Sequence, residues 1–148
     1  MIRKNTHAQS IFAIIAISIL SSPSNVIASG IATPFNFRAF MPADGNCEGV
    51  AWKPRESLGS KAYASWDARK GIMWIGIKGK VYQSSYQNME GVRLKVIEAD
   101  YDGMHAIITI PQQTVYDSNS YPIGTLELLS NSSNKSLTKI EVSVGQAC

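Results

Sequence analysis

The chain has 148 residues, of which 14 are basic, 11 are acidic, two are cysteine and two are histidine. This length corresponds to one domain of ordinary size. The formal net charge is +3, but two of the basic residues, Arg3 and Lys4, lie within the first 28 positions. The remaining 12 basic and 11 acidic residues leave a charge of +1, which gives no reason to expect a polyanion such as nucleic acid as the partner of the whole domain. With so few cysteines and histidines, we expect no zinc site and no other metal or cofactor.

The N-terminal segment has the features of a secretory signal peptide. Two basic residues are followed by an uncharged apolar run at 11–20, and Ala28 offers the small residue that a signal peptidase requires. The alternative is a membrane anchor, but a spanning helix needs about 20 apolar residues, twice the length of this run. We therefore interpret 1–28 as a signal peptide and 29–148 as a single exported β domain, located in the periplasm, at the cell surface or secreted.

The two cysteines of the chain are Cys47 and Cys148. In an oxidising compartment, two cysteines in a short exported chain usually pair. The loop that such a bond closes would contain about a hundred residues, for which the entropic model gives roughly 4–5 kcal/mol of stabilisation. The alternatives are two free thiols, or a bond from Cys148 to another molecule. The intramolecular disulfide is the prediction.

From residue 31 onward, short segments of alternating apolar and polar residues are separated by clusters of turn-forming residues. Such alternation is typical of β-strands with one buried face. The predicted strands are 31–41, 47–53, 61–66, 72–77, 92–98, 104–110, 124–129 and 137–144. Seven or eight strands with regular turn signals predict an all-β fold, a single small antiparallel β-sandwich or barrel with one disulfide. The pattern does not choose between sandwich and barrel.

Some strand assignments are specific about side-chain direction. Residues 72–77 are apolar on both faces, which predicts a central strand. The tripeptide at 78–80 predicts a bulge or bend before a short extended stretch at 81–82. In 92–98, the predicted inward residues are Val92, Leu94 and Val96, and the predicted outward residues are Arg93 and Lys95.

The exported domain offers little material for catalysis. Its one histidine, His105, lies in an apolar predicted strand, and both cysteines are predicted to be bonded. Nucleophilic catalysis would have to use this histidine, whereas a strand histidine facing solvent is the commoner case. Three acids near a turn, Glu98, Asp100 and Asp102, could hold calcium but lack the usual loop pattern, so we interpret them as solvated turn acids. We assign no catalytic residue and predict that the protein is not an enzyme.

A basic, aromatic segment is the first candidate for binding. Residues 53–80 contain seven basic and two acidic residues, whereas 81–148 contain four basic and seven acidic residues. Such a patch could dock an anionic glycan, a lipid headgroup or an acidic protein surface. The alternative is that Trp74 belongs to the core and the lysines form a solvated face that protects a sheet edge. The candidate patch consists of Trp52, Lys53, Arg55, Tyr63, Trp66, Arg69 and Lys70.

The second candidate is the predicted strand 31–41, which directly follows the cleavage site and contains three phenylalanines. A terminal strand of this kind could add to the sheet of a neighbouring copy, as fibre subunits do. The alternative is that the strand joins its own sheet. The candidate strand-exchange residues are Phe35, Phe37, Ala39 and Met41.

These features predict a non-catalytic exported binding or assembly module, for example a pilus or adhesin-type fibre subunit. Its partner would be another copy or another exported protein, with an anionic glycan as a further candidate, and the export signal argues against nucleic acid. The alternative function is a soluble periplasmic or secreted inhibitor or ligand-binding domain that uses the segment 52–80.

Overall fold

The computed structural model describes residues 30–41, 48–91, 94–112 and 115–147. The predicted signal peptide and both cysteines, Cys47 and Cys148, lie outside these residues. Within the described ranges, no helix is long and apolar enough to cross a membrane.

The described chain consists of ten strands and one turn of 3₁₀ helix at Phe37–Phe40. In chain order the strands are β1 (Phe35–Asn36), β2 (Glu48–Trp52), β3 (Lys61–Ala62), β4 (Ala64–Asp67), β5 (Ile72–Ile77), β6 (Lys80–Glu90), β7 (Leu94–Tyr101), β8 (Met104–Pro111), β9 (Ile123–Ser130) and β10 (Ser136–Ala147).

Eight of these strands form a closed antiparallel barrel in the order β10-β2-β4-β5-β6-β7-β8-β9. Strand β10 closes the barrel because it pairs with β2 on one side and with β9 on the other. Every other barrel strand pairs with its neighbours along the chain, with only the short β3 outside the order. The prediction of an antiparallel all-β fold is confirmed, and the architecture is the barrel.

The barrel interior is filled by alternate residues of its strands, as the pleat of a strand requires. The fully buried apolar residues of this interior are Ala51, Ala64, Met73, Ile75, Ala106, Ile97, Ile108, Leu126, Leu128 and Val142. Aliphatic and small side chains dominate, so the middle of the barrel is a packed core.

A second apolar core lies on the outer face of the barrel, where the N-terminal segment covers β2 and β5. Phe37 is fully buried there, and Trp52 and Trp74 are buried beside it. The ring of Phe40 lies 5.7 Å from that of Trp74. The prediction that 72–77 is apolar on both faces is confirmed, because one face of β5 meets the interior and the other meets this second core.

The segment 31–41 is not the single alternating strand that the sequence predicts. Only Phe35 and Asn36 form a strand, which pairs with β3, and a 3₁₀ turn follows directly. The N–H of Phe37 donates to the carbonyl of Ser60 at 3.1 Å. Upstream of β1, Ala32 forms one antiparallel bridge with Ile77, beyond the part of β5 that pairs with β4. In this bridge the N–H of Thr33 donates to the carbonyl of Gly76 at 2.9 Å. The rest of the segment packs on the barrel through its phenylalanine rings.

Strand β6 was largely missed by the sequence prediction, which expected only a short extended stretch at 81–82. The predicted bulge or bend at 78–80 is a hairpin turn, in which Lys78 and Gly79 have φ angles of 49° and 76°. Positive φ at both central residues is typical of a type I′ turn. Strand β6 then runs for 11 residues with a polar, exposed outer face, so only Tyr82, Ser84 and Tyr86 alternate inward as half-buried residues.

The predicted orientation of the next strand, β7, is wrong. Leu94 is 44% exposed, whereas Ile97 and Ala99 are buried in the barrel. Lys95 therefore shares the inward face, opposite to the prediction. The physical reason is that the strand continues to Tyr101. Over this length the row with Ile97, Ala99 and Tyr101 buries more apolar area than the alternate row, which ends in two acids. Val92 and Arg93 lie outside the described residues.

Gly76 provides a direct test of how the N-terminal segment docks. A Cβ atom at this position would lie 1.9 Å from the backbone oxygen of Thr33. We expect Gly76→Ala to lower the free energy of unfolding by about 1–3 kcal/mol, because the segment must move away from β5. Urea unfolding followed by tryptophan fluorescence measures the change. Gly59→Ala is the control, since nothing lies within 4 Å of that position; equal stability of the two variants would contradict the docking described here.

Candidate functional site

The predicted basic, aromatic patch is divided among four places in the fold. Trp52 belongs to the second core, and Trp66 points into the barrel. Arg69 and Lys70 lie in the turn between β4 and β5, at one end of the barrel. The remaining three residues of the patch are brought together in an outer groove near the opposite end of β2: Lys53, Arg55 and Tyr63.

This outer groove, which we call the Arg55 groove, consists of two adjoining hollows on the outside of β8, β9 and β10. The first has a volume of about 470 Å³ and includes Lys139 of β10. The second has a volume of about 410 Å³ and is lined by Pro111, Val115 and Ile123 among others. Arg55 and Glu141 line both hollows. The groove therefore has a basic half and a largely apolar half, with Arg55 between them.

The backbone of Arg55 has a φ angle of 66°. Residues other than glycine avoid this left-handed region, at a cost of about 1–2 kcal/mol. The loop is held in place on one side by Trp52, whose indole N–H donates to the carbonyl of Glu56 at 2.9 Å. The ring of Trp52 in turn packs edge-on against that of Tyr121, with centroids 4.8 Å apart. Side-chain packing thus ties the Arg55 loop to the loop that precedes β9.

A buried aspartate anchors the groove from that second loop. Asp117 accepts hydrogen bonds from the backbone N–H of Asn119 and Tyr121, at 2.8 and 3.0 Å, and from the Ser143 hydroxyl. Burial raises the pKa of Asp117, but these bonds and the nearby N–H of Arg55 outweigh it, so the pKa lies below its usual value. An ionised Asp117 therefore fixes three separate chain segments against each other.

The cations of the groove differ in their partners. Lys53 Nζ lies 2.7 Å from Glu56 Oε1, and Lys139 Nζ lies 3.5 Å from Glu127 Oε2. Within the described ranges, the guanidinium of Arg55 makes no ion pair. Because Arg55 is exposed, it can bind the carboxylate of a partner without first breaking an ion pair within the chain.

The candidate strand-exchange residues occupy different environments. Phe35 is 8% exposed and Phe37 is fully buried, both in the second core of their own chain. Met41 is half-buried against the same core, and Ala39 is exposed in the 3₁₀ turn. The aromatic residues that would have to leave this chain in an exchange are therefore the ones that cover its second core.

His105 lies on the outer face of β8 between two acids. Its Nδ1 is 2.9 Å from Asp100 Oδ1, and its Nε2 is 3.5 Å from Glu98 Oε2. A catalytic histidine needs one ring nitrogen directed at a nucleophile, and here both face carboxylates. Asp102 is exposed in the turn that follows β7. Across the described residues, no group of three or more acidic, histidine or cysteine side chains is arranged to hold a metal ion.

A pair of buried carboxyl groups was missed by sequence reasoning. Glu48 is fully buried, and no hydrogen-bond partner is described for either of its carboxyl oxygens. Gly49 lies opposite Trp66 in the antiparallel pairing of β2 and β4, so Glu48 and Asp67 are the next two residues to face each other along these strands. Burial, and secondarily the charge of Asp67, raises the pKa of Glu48 to about 7, although Lys70 opposes the shift. An acidic residue at the start of an apolar strand was the only available signal.

Asp67 itself has a structural role. Its Oδ1 accepts the backbone N–H groups of Arg69 and Lys70, at 2.9 and 3.2 Å, and so shapes the turn that ends at Gly71. A neutral carboxyl group beside an ionised one is the arrangement of an acid–base pair. However, neither Glu48 nor Asp67 is a lining residue of the Arg55 groove, of the hollow beside His105 or of the cavity beside Trp66.

Glu48 predicts how stability depends on pH. Its pKa is higher in the folded state than the ordinary value of 4.5, so the stability associated with the protonated group is fully present below about pH 4.5. This stability is lost as the pH rises through about 7. We expect the melting temperature to fall between pH 5 and pH 8 by about 4 °C more in the natural protein than in Glu48→Gln. Calorimetry of both proteins at the two pH values measures this difference in melting temperature.

The control for this experiment is Glu90→Gln, at an exposed carboxylate at the end of β6. This variant should show the same pH dependence as the natural protein. If Glu48→Gln also loses as much stability between pH 5 and pH 8 as the natural protein, then Glu48 is not the titrating group.

Comparison of the chain with protein-family models, with curated proteins and with solved structures finds no significant match in any of the three. The functional argument therefore rests on the geometry of the described residues. Among the predicted site residues, the set that this geometry brings together is the one around Arg55.

Proposed function

We propose that the protein is an exported, non-catalytic binding domain that docks an acidic segment of a partner protein in the Arg55 groove. The observation that carries this proposal is the position of Arg55 between two adjoining hollows, in a left-handed conformation and without an ion pair within the described ranges. A backbone conformation of unfavourable energy persists only where the surroundings hold it, and such positions cluster at binding sites.

The fixed position of Arg55 supports binding in a specific way. The side chain of an arginine can form two parallel hydrogen bonds with a carboxylate, which adds both energy and direction. Because Trp52 and Asp117 already hold the loop in place, less conformational freedom is lost when a partner binds. Preorganisation of this kind raises affinity without any additional contact.

The chemistry of the two hollows favours a protein segment as the partner. One hollow presents Lys53, Arg55 and Lys139, and the other presents apolar surface that includes Val115, which is 75% exposed. An extended segment with one or two acidic residues followed by apolar ones matches both halves. A uniformly anionic glycan matches only the first, and Glu141, which lines both hollows, repels a chain of repeated negative charges more than a segment that carries one or two.

Fibre assembly through strand exchange has less support. An incoming strand needs a long unpaired sheet edge, whereas every barrel strand pairs with a neighbour on each side over part of its length. The donor segment would also have to withdraw Phe35 and Phe37 from their own core. The soluble inhibitor or ligand-binding domain, which uses part of the segment 52–80, is therefore the form of the binding module that we propose.

Export and the disulfide belong to the same proposal. Strands β2 and β10 pair so that Glu48 lies opposite Ala147. Cys47 precedes Glu48 and Cys148 follows Ala147, so continuation of the same register would make the two cysteines partners. Opposite residues in an antiparallel pair have Cα atoms about 4.5–5.5 Å apart, which suits a disulfide. The bond would then join the two strands where the barrel closes.

Replacement of Arg55 by glycine tests the groove without disturbing the loop. Glycine adopts positive φ at no steric cost, so Arg55→Gly removes the guanidinium while the fold is retained or stabilised. We expect it to weaken binding of an acidic peptide at least tenfold, which corresponds to the 1.4 kcal/mol or more expected for a charged hydrogen bond. The probe is the tightest linear peptide selected from a phage-displayed library on the natural protein, and fluorescence anisotropy measures its affinity.

Lys78→Gly is the matched control, because it also removes one cation from a left-handed position, but in the β5–β6 turn. It should leave peptide affinity within twofold of that of the natural protein. Equal losses in the two variants, or no loss in Arg55→Gly, would contradict the groove as the binding site. Tight binding of heparin fragments together with failure to select any acidic peptide would overturn the choice of a protein partner.

The disulfide has a separate test. The exported protein, unfolded in denaturant without reductant, should show no titratable thiol, and reduction should lower its free energy of unfolding by about 3–5 kcal/mol. Thiol titration and urea unfolding measure the two quantities. Two reactive thiols in the unreduced protein would refute the predicted bond.

A further inference from the structure

A second cavity lies at one mouth of the barrel, away from the Arg55 groove. Its volume is about 330 Å³, and it shares no lining residue with either hollow of that groove. Most of the lining residues belong to the inward-facing rows of the barrel strands, near the start of β2 and β7 and near the end of β4, β6, β8 and β10. Mouths of small barrels are common sites for small ligands, and this volume is at the lower end of the range for such sites.

The wall of the cavity is mostly apolar, with one cation. Trp66, Ile110 and Val144 provide the apolar surface, and Lys95 reaches the cavity from β7. Lys95 is half-buried, and no ion pair involves its ammonium group within the described residues. Because a half-buried ammonium loses part of its hydration, an anion beside it gains more than it would at an open surface.

The open space in the mouth depends on a glycine. The indole of Trp66 lies flat against Gly49, so closely that a Cβ there would be 2.0 Å from the ring. Any larger residue at this position would push the indole into the cavity. Below the mouth, Met73 and Ile75 fill the barrel, so the space has a floor and admits only a short ligand.

We propose that this barrel mouth binds a small carboxylate with an apolar body, such as an arylalkanoate. The carboxylate would pair with Lys95, and the apolar body would lie against Trp66 and Val144. The side-chain amides of Asn88 and Gln146, which also line the cavity, can donate hydrogen bonds to the second carboxylate oxygen. A phosphate ester carries more charge and requires more donors than one lysine and two amides supply, so the cavity favours a monoanion.

The test uses 4-phenylbutyrate and its uncharged analogue 4-phenylbutyramide as probes on the exported protein. The indole N–H signal of Trp66 in a ¹H–¹⁵N correlation spectrum reports occupancy of the mouth directly. We expect a saturable shift with 4-phenylbutyrate and at least tenfold weaker binding of the amide. Lys95→Met retains the length of the side chain and removes the charge, so the two probes should bind it equally.

Two further variants make the result decisive. Lys78→Met removes a cation elsewhere and should preserve the preference for the carboxylate. Asn88→Trp fills the mouth from its exposed rim, where the change does not disturb the core, and should abolish binding of both probes. No shift at Trp66 up to the solubility limit, or an unchanged preference for the carboxylate in Lys95→Met, would overturn the proposal. Because Arg55 lies outside this cavity, either result is independent of the groove.

Discussion

The pairing of β10 with both β2 and β9 is the interaction on which the rest of the structure depends. It turns an eight-stranded meander into a closed ring, so that each barrel strand has a neighbour on both sides. A closed sheet leaves no full edge for another strand, and the N-terminal segment makes only a single bridge with the barrel, from Ala32 to Ile77 of β5. Beyond that bridge the segment packs its aromatic rings on the outer face of β2 and β5, where Phe37 completes a second core.

Closure also explains why the two proposed binding sites are separate. The ring has an interior that opens at its mouth, and an outer face on which the long connecting loops come to lie. At the mouth, Lys95 is the charged residue of a small, mostly apolar cavity. On the outer face, the loop that follows β2 meets the loop that precedes β9, and Asp117 fixes the position of Arg55 there. Each site thus combines a cation lacking an ion pair within the described ranges with apolar surface held by the barrel.

The sequence predicted the β class and most of the strands, because alternation with period two is a strong signal wherever one face is buried. It failed where that signal is weak or can be satisfied in two ways. Strand β6 is hard to recognise because its inward residues, such as Tyr82 and Ser84, are only half-buried and not uniformly apolar. The alternation of 92–98 taken alone favours the wrong face, so Lys95 was placed outside; only the continuation to Tyr101 reverses it. The candidate patch was divided because Trp66 and Arg55, although close in sequence, lie on different sides of the barrel wall: Trp66 points into the interior and Arg55 lines the outer groove. Only the tertiary arrangement adds Lys139 to the groove.

Nuclear Overhauser effects between backbone protons of β2 and β10 test the closure of the barrel most directly. The pairing places Ala51 opposite Val144 and Gly49 opposite Gln146, although these residues are nearly a hundred positions apart in the chain. The account predicts cross-strand effects at both pairs, with slow amide exchange along β10. Absence of these effects in a folded sample, together with fast exchange at the β10 amides that face β2, would mean that the sheet is open and would contradict the architecture from which both sites are derived.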